Sequence, residues 1–134
     1  MMVSTRGRYA LRVLLDLCDS APGTYVPMKE IAEREGISVK YMEQIMPVLV
    51  KNGLVEAVHG KGGGYRLAVA PSECHVGDIL RLTEGDLAPV ACLSCGAEPC
   101  QRYADCKTIG MWREFNRITN EYFDGITLAD LLKG

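Results

Sequence analysis

The sequence lacks any apolar run long enough to cross a membrane. A membrane-spanning helix needs about 20 consecutive apolar residues, and no segment of the 134 residues approaches that length. Arg6, Arg8 and Arg12 interrupt the N-terminal stretch, which therefore lacks the apolar core of a secretory signal. These absences predict a cytoplasmic protein with no membrane partner. Because thiols stay reduced in the cytoplasm, structural disulfides are the least favoured role for its cysteines.

An overall excess of positive charge is also absent, since the formal net charge is −2. The two halves nevertheless differ in sign. Residues 1–70 carry nine Lys or Arg against seven Asp or Glu, whereas residues 71–134 carry six against ten. The net charges of +2 and −4 favour contact with phosphate through the N-terminal half only.

The residue pattern of an enzyme is missing as well. Cys74 and His75 are neighbours, but no acid or oxyanion-stabilising partner is indicated near them. The glycine-rich HGKGGG at 59–64 is not followed by a helix, as a phosphate-binding Walker loop requires. Cys18 lies on the apolar face of the first predicted helix and is expected to be a small core residue. We therefore predict that the protein is not an enzyme.

Hydrophobic periodicity predicts a helix-turn-helix in the first half. Apolar residues recur at helical spacing from Ser4 to Cys18, after Pro27 until Gly36, and again after Ser38, which has the position of an N-cap. A short turn joins the second and third of these helices. Pro47 predicts a bend within the third helix.

A β-hairpin is predicted directly after the third helix. Two β-prone runs, LVEAV at 54–58 and YRLAV at 65–69, flank the glycine-rich segment, whose glycines allow the backbone angles of a hairpin tip. A helix-turn-helix followed by such a wing is the winged-helix architecture, in which a recognition helix enters the DNA major groove. The front half is therefore predicted to bind DNA.

The second half combines helices with a cysteine-rich loop. A helix is predicted around 75–85, and a longer one follows within 106–126. The apolar face of the longer helix consists of Met111, Trp112, Phe115, Ile118, Thr119 and Tyr122. Such a stripe is most often core, but in so short a chain a second copy of the helix can bury it, which matches the two-fold symmetry of most operators. Thr127 is predicted to cap a short final helix.

The predicted fold class is mainly α with a small β-hairpin: a winged helix-turn-helix domain plus a long dimerisation helix. We divide the chain into a DNA-binding domain (1–83), a cysteine-rich loop (84–106), and the dimerisation and C-terminal helices (107–134).

Four of the six cysteines lie within fifteen residues, at Cys92, Cys95, Cys100 and Cys106. Four thiolates suit either tetrahedral zinc or an iron–sulfur cluster. Structural zinc sites with four cysteines usually pair two Cys-x-x-Cys knuckles, and only one is present here, so iron and sulfur are favoured. Reduced thiols without a ligand are the alternative.

Four segments together resemble the IscR-type regulators, which form the Rrf-two superfamily with NsrR-type and CymR-type proteins. The segments are TRGRYALRVLLDL, VPMKEIAEREGISVKYMEQIMPVLVKNGLV, GKGGGYRLA and CQRYADCKTIGMW, and the resemblance covers essentially the whole chain. It implies a homodimeric winged-helix regulator, with repression favoured. Its affinity for double-stranded operator DNA would be governed by an iron–sulfur cluster of the 2Fe-2S or 4Fe-4S type.

The resemblance also implies ligands for the cluster. The family's last two cysteines are separated by five residues, as Cys100 and Cys106 are, and Cys92 corresponds to the first ligand. Cys95 is an extra thiol that is either an alternative first ligand or the fourth. Positions 107–109 lack the histidine of some members, so the fourth ligand stays open between Cys95 and a residue of the partner subunit.

The resemblance implies a reading helix over residues 38–44. Gln44 can bond an adenine edge, and Glu43 can accept from cytosine while repelling phosphate. At the wing tip His59 stands where the family often has arginine, with Lys61 close by. The predicted DNA contacts are Arg6, Arg8, Ser38, Lys40, Tyr41, Glu43, Gln44, His59 and Lys61.

Two alternative functions stay open at this point. A regulator of the same fold could use zinc or thiol–disulfide chemistry at these cysteines. A small electron carrier is disfavoured, because it would leave the N-terminal half without a role.

Overall fold

The computed structural model describes residues 3–94, 96–98 and 100–134, and most of these residues are helical. The elements are α1 (Thr5–Cys18), α2 (Met28–Glu35), α3 (Val39–Lys51), β1 (Val55–Val58), β2 (Gly64–Leu67), α4 (Val76–Glu84), α5 (Ile109–Asp124) and α6 (Leu128–Leu132). Short 3-10 turns lie at Pro71–Glu73, Ala91–Leu93 and Tyr103–Asp105. The predicted class, mainly α with a small β-hairpin, is confirmed. Within the described ranges, no helix combines the length and the apolar character needed to span a bilayer.

The helix ends follow from local hydrogen bonding. The hydroxyl oxygens of Ser4 and Ser38 each accept from the backbone N–H three residues later, at 3.3 and 3.1 Å, which satisfies free donors of the first turn. At the start of α6, Thr127 and Asp130 form a reciprocal capping box at 3.2 and 2.9 Å. The caps predicted at Ser38 and Thr127 are therefore confirmed, and Ser4 is a third.

The wing is attached to the segment that precedes α2. Strands β1 and β2 pair antiparallel. Strand β1 begins one residue later than predicted, whereas β2 begins one residue earlier and ends two residues earlier than predicted. Val26 and Tyr65 then exchange two backbone hydrogen bonds of 2.8 Å. A Cβ on Gly64 would lie 2.8 Å from the Pro27 nitrogen, so this close approach requires glycine.

The main core joins the N-terminal helices, the base of the wing and α6. Its fully buried side chains include Leu14 of α1, Ile31 of α2, Ile45 of α3 and Leu128 of α6. The final helix thus packs against the DNA-binding half, although the predicted division placed it with the dimerisation helix. That division into functional segments stays a prediction.

Cys18 and Cys74 belong to this packing rather than to the cysteine loop. Cys74 is buried within the core, and Cys18 is half-buried against it. Burial raises the pKa of Cys74 to about 11 and also raises the pKa of Cys18. Both side chains are therefore protonated near neutral pH and act as small apolar groups.

A polar contact joins α4 to α5. The Arg81 guanidinium donates to both carboxylate oxygens of Asp124 at 2.7 and 2.9 Å, and to the Asn120 side-chain oxygen at 2.7 Å. These bonds lower the pKa of Asp124. A small apolar cluster of Val76, Leu80 and Leu87, with Phe123 against it, lies in the same part of the molecule.

Helix α5 leaves most of its predicted apolar stripe exposed. The helix starts at Ile109, and its outer residues are 43% to 64% exposed: Met111, Phe115, Ile118 and Tyr122. Trp112 is half-buried and Thr119 is buried. The predicted stripe therefore divides into an inner side, covered by the chain itself, and an outer side that the chain leaves open.

Candidate nucleic-acid interface and cysteine loop

The turn between α2 and α3 presents the first two turns of α3 to solvent. Gly36 ends α2 in the left-handed region, with φ of 66°, and the buried Ile37 anchors the turn. Lys40, Glu43 and Gln44 are exposed and, at this spacing, share one helix face. The predicted reading residues of α3 thus form one accessible surface. The helix continues through Pro47 to its last residue, and the bend predicted there stays a prediction.

Tyr41 has a different environment from the other predicted reading residues. Its ring is half-buried and meets the ring of Tyr9 edge-on, with centroids 5.2 Å apart and planes inclined by 69°. Its backbone N–H donates to the hydroxyl oxygen of Ser38. Tyr41 therefore connects α3 to α1, and its contact with a DNA phosphate stays a prediction.

The predicted phosphate contacts outside α3 are also accessible. His59 and Lys61 are exposed between the two strands of the wing, and Arg6 and Arg8 are exposed in α1. The Arg8 guanidinium donates to the hydroxyl oxygen of Thr5 at 3.0 Å. In the part of the chain that the structure describes, the basic side chains at 6, 8, 40 and 61 form no ion pair. Their charges are available to an anionic partner.

The cysteine loop carries three described thiols, all free. Cys92 and Cys100 are exposed, and Cys106 is half-buried. Cys95, the predicted alternative or fourth ligand, lies outside the described residues. Among those that are described, no group of three or more potential metal ligands is brought together. The predicted ligand set therefore stays a prediction.

Cys106 lies just before α5. Thr108, two residues after Cys106, is the N-cap position of that helix, and Ile109 is its first residue. Its sulfur is 3.4 Å from the Thr108 hydroxyl oxygen. Hydrogen bonds from that hydroxyl, and then from the backbone N–H groups of Thr108 and Ile109, lower the pKa of Cys106, and the charge of Arg102 adds to the effect. These donors favour the thiolate, which is the form that binds metal or attacks a disulfide. Thr108 was not among the predicted site residues.

Helix α5 also contacts the middle of the loop. The Arg113 guanidinium carbon lies 4.7 Å from the ring centroid of Tyr103, a cation–π distance. Tyr103 stands between Cys100 and Cys106 in the sequence. The loop is therefore attached to α5 both by the chain and by this side-chain contact.

A contact between Ser4 and Glu84 joins the start of α1 to the end of α4. The backbone N–H and the hydroxyl of Ser4 both donate to one carboxylate oxygen of Glu84, at 3.1 and 2.5 Å. A serine before an amphipathic run is a recognised N-cap signal, so the cap at Ser4 was available to sequence reasoning. Its partner, 80 residues away, was not.

Comparison with known proteins covers both regions. Residues 3–134 match the Rrf2 family, described as an iron-dependent transcriptional regulator. The HTH-type transcriptional regulator IscR of Aliivibrio salmonicida is 38% identical over 132 residues, which cover 98% of this chain and 77% of that protein. The solved structure of T. potens IscR has a TM-score of 0.76 and 37% identity, over 99% of this chain and 87% of that one. Staphylococcus aureus CymR in its oxidized form has a TM-score of 0.74 and 32% identity, over 98% and 95%.

Proposed function

The chain belongs to the Rrf2 family of transcriptional regulators, and we propose that it binds operator DNA as a homodimer under the control of an iron–sulfur cluster. The similar proteins are named as transcriptional regulators, and none of those names describes an enzyme. The proposal places the protein in the cytoplasm and favours repression as the result of operator binding.

The proposed DNA surface consists of α3, the wing tip and the start of α1. The exposed face of α3 would enter the major groove, where Gln44 reads adenine and Glu43 excludes sites that lack a donor. Lys40 and the exposed basic residues of α1 and the wing would contact phosphates. Of the two wing-tip residues, His59 and Lys61, the lysine is the stronger phosphate contact.

The cluster would be held by Cys92, Cys100 and Cys106, with Cys95 as an alternative or fourth ligand. The donor chemistry fits, because soft thiolates bind iron–sulfur clusters and these thiols are free in an irregular segment. The observation that carries the proposal is the position of Cys106 directly before α5, where its sulfur lies 3.4 Å from the Thr108 hydroxyl oxygen. The hydrogen-bond donors there lower its pKa and so favour the ligating thiolate. A bound cluster would supply a centre that responds to oxidation or loss of iron.

The second copy in the proposed dimer would cover the outer side of α5. Large apolar residues at 111, 115, 118 and 122 follow the four-three-four spacing of helices that pair along a seam. Exposed apolar surface of this kind marks an interaction site. Because Cys106 lies just before α5, a change at the loop would reach the helix that sets the spacing of the two reading heads. The cluster can control operator affinity only if the cluster-bound and cluster-free forms of the protein bind DNA with different free energies.

Anaerobic purification of the full chain tests the cluster. We expect a coloured protein containing iron and acid-labile sulfide. A variant with Cys92, Cys100 and Cys106 all replaced by alanine should lose both, while the matched Cys18→Ala variant should retain them. Colourless, iron-free wild-type protein would contradict the proposal.

The wild type and the variant that lacks the three loop cysteines should then be compared for DNA binding. The probe is a duplex selected by the wild-type chain from a randomised library, measured across a salt series. We expect the loop variant to differ from the wild type in affinity, because the cluster is the proposed control. Equal affinities would contradict control by these thiols, while failure to select any duplex would contradict the DNA-binding function itself.

Thiol–disulfide control is the second candidate. Staphylococcus aureus CymR was solved in an oxidized form. In this chain, Cys92 and Cys100 are exposed free thiols in the same loop segment as Cys106, whose pKa is lowered. If this candidate is right, protein free of iron and zinc should lose titratable thiols on mild oxidation, and its operator affinity should change in parallel. Zinc analysis of the protein as purified, before any metal is removed, separates a zinc site from both.

A further inference from the structure

Arg12 of α1 binds the last residue of α2, immediately before the turn into the reading helix. Its Nε donates to a Glu35 carboxylate oxygen at 3.2 Å, and its Nη2 donates to the Glu35 backbone carbonyl. A carbonyl at the end of a helix has no intrahelical donor. Arg12 therefore satisfies this acceptor from outside α2 and fixes the end of that helix against α1.

The same guanidinium lies beside an aromatic pair that reaches α3. The Arg12 guanidinium carbon is 5.3 Å from the Tyr9 ring centroid, and the Tyr9 ring packs edge-on against Tyr41. Tyr41 is the third residue of α3, and its backbone N–H donates to the Ser38 cap. Two side chains of α1 thus hold both sides of the turn: the end of α2 and the first turn of α3.

We infer that Arg12 and Tyr9 are positioning residues, which set the orientation of α3 for base recognition without reading bases themselves. The inference rests on the DNA-binding function proposed above. Base recognition needs side chains held close to one productive geometry by packed neighbours. A short turn alone leaves α3 free to tilt relative to α2, and the contacts of Arg12 and Tyr9 oppose that tilt.

Arg34 provides a matched control for Arg12. It also joins α1 to α2, through bonds of 3.0 and 2.6 Å to the buried carboxylate of Asp16 and one of 2.9 Å to Glu30. The two arginines have similarly exposed side chains, 46% for Arg12 and 42% for Arg34. In the described contacts, however, Arg34 bonds neither the end of α2 nor the aromatic pair. A variant of Arg34 therefore tests the contact between α1 and α2 without disturbing the contacts that position α3.

The test measures sequence preference rather than affinity alone. The full chain is compared on a duplex that the wild type selects from a randomised library and on a scrambled duplex of the same composition, with thermal stability measured in parallel. We expect Arg12→Ala and Tyr9→Leu each to reduce the preference for the selected duplex about tenfold, the cost of a misread base pair. Binding to the scrambled duplex and the salt dependence should hardly change. Tyr9→Phe should restore the preference, because it keeps the ring.

The control variant and the salt series determine what would overturn the inference. Arg34→Ala should lower thermal stability and leave the preference intact; an equal loss of preference in Arg34→Ala and Arg12→Ala would show general bracing instead. Equal weakening on both duplexes with a salt slope lowered by about one would show that Arg12 contacts a phosphate directly. Failure of Tyr9→Phe to restore the preference would overturn the role of the ring. If the wild type enriches no duplex, the DNA-binding function fails first.

Discussion

The DNA-binding half and helix α5 differ in how much of their apolar surface the chain itself buries. In the first half, α1 and α3 together bury most of their large aliphatic side chains in one core. Of the 16 residues of α5, Thr119 is the one classed as buried. The first region is thus stabilised within a single chain, whereas α5 presents an apolar side that the chain leaves exposed. Under the proposed function, the first region would read DNA, and α5 would serve association with a second copy.

The largest expected effect comes from matched truncations in the two regions. Leu14 is fully buried in the core, and Ile118 is 50% exposed on the outer side of α5. Leu14→Ala should lower the free energy of unfolding by about 2–5 kcal/mol, through lost transfer energy and the cavity left behind. Ile118→Ala should cost a single chain less than about 1 kcal/mol, because little is buried, but it should raise the dimer dissociation constant.

Urea unfolding at fixed protein concentration and sedimentation across a dilution series measure these two quantities. The comparison fails if Ile118→Ala leaves the association state unchanged at every dilution, since the outer side of α5 would then not be a dimer surface. It also fails if Leu14→Ala is tolerated without a loss of unfolding free energy.

A smaller effect is expected from adding one methyl group to a helix in each region. A Cβ on Gly7 of α1 would lie 2.6 Å from the Glu84 carboxylate oxygen that Ser4 bonds, whereas a Cβ on Gly110 of α5 would meet no described atom within 4 Å. Gly7→Ala should therefore displace Glu84 at a cost of about 1 kcal/mol, which offsets the gain that alanine gives a helix and leaves the unfolding free energy below that of Gly110→Ala. Gly110→Ala should be neutral or raise the unfolding free energy by up to about 1 kcal/mol, because alanine favours the helix. Equal effects in urea unfolding would contradict this difference in packing.

The parts of the fold that sequence reasoning found depend on local patterns. The caps at Ser38 and Thr127, the turn at Gly36 and the glycine-rich wing tip each follow from residues within a few positions of one another. The stripe on α5 was also local, and its six residues lie on that helix, although Phe123, which packs against the small apolar cluster, was missed. Its division into inner and outer sides was not predictable, because it depends on where α4 packs against α5.

The missed contacts are long-range and polar. The bridge between Val26 and Tyr65, and the bond between Ser4 and Glu84, join residues far apart in sequence, and no spacing rule connects such pairs. The same holds for Arg12, which in the sequence is merely a charge that interrupts an apolar run. At the cysteine loop, spacing identified candidate ligands, but the thiolate-favouring donors around Cys106 became visible only with the start of α5 in place.

The smallest expected effect concerns the charged contact between α4 and α5, which joins the two regions. The Arg81 guanidinium lowers the pKa of Asp124, so ionised Asp124 adds stability that is present above its unfolded pKa of about 3.9 and is lost as the pH falls through the lower folded value. The Asp124 side chain is 47% exposed and the Arg81 side chain 31% exposed. Solvent therefore screens the ion pair, and its contribution to the free energy of unfolding is modest. Asp124→Asn should lower the midpoint of urea unfolding at pH 6, with unfolding monitored by the fluorescence of Trp112 on α5. This deficit in the midpoint relative to the wild type should shrink steadily below pH of about 4.

Asp78→Asn is the control. The Asp78 carboxylate lies 3.4 Å from the same guanidinium and its side chain is 69% exposed, so this variant should show a smaller deficit at pH 6. A deficit for Asp124→Asn that stays constant down to acid pH would show that the side chain matters for its shape rather than its charge.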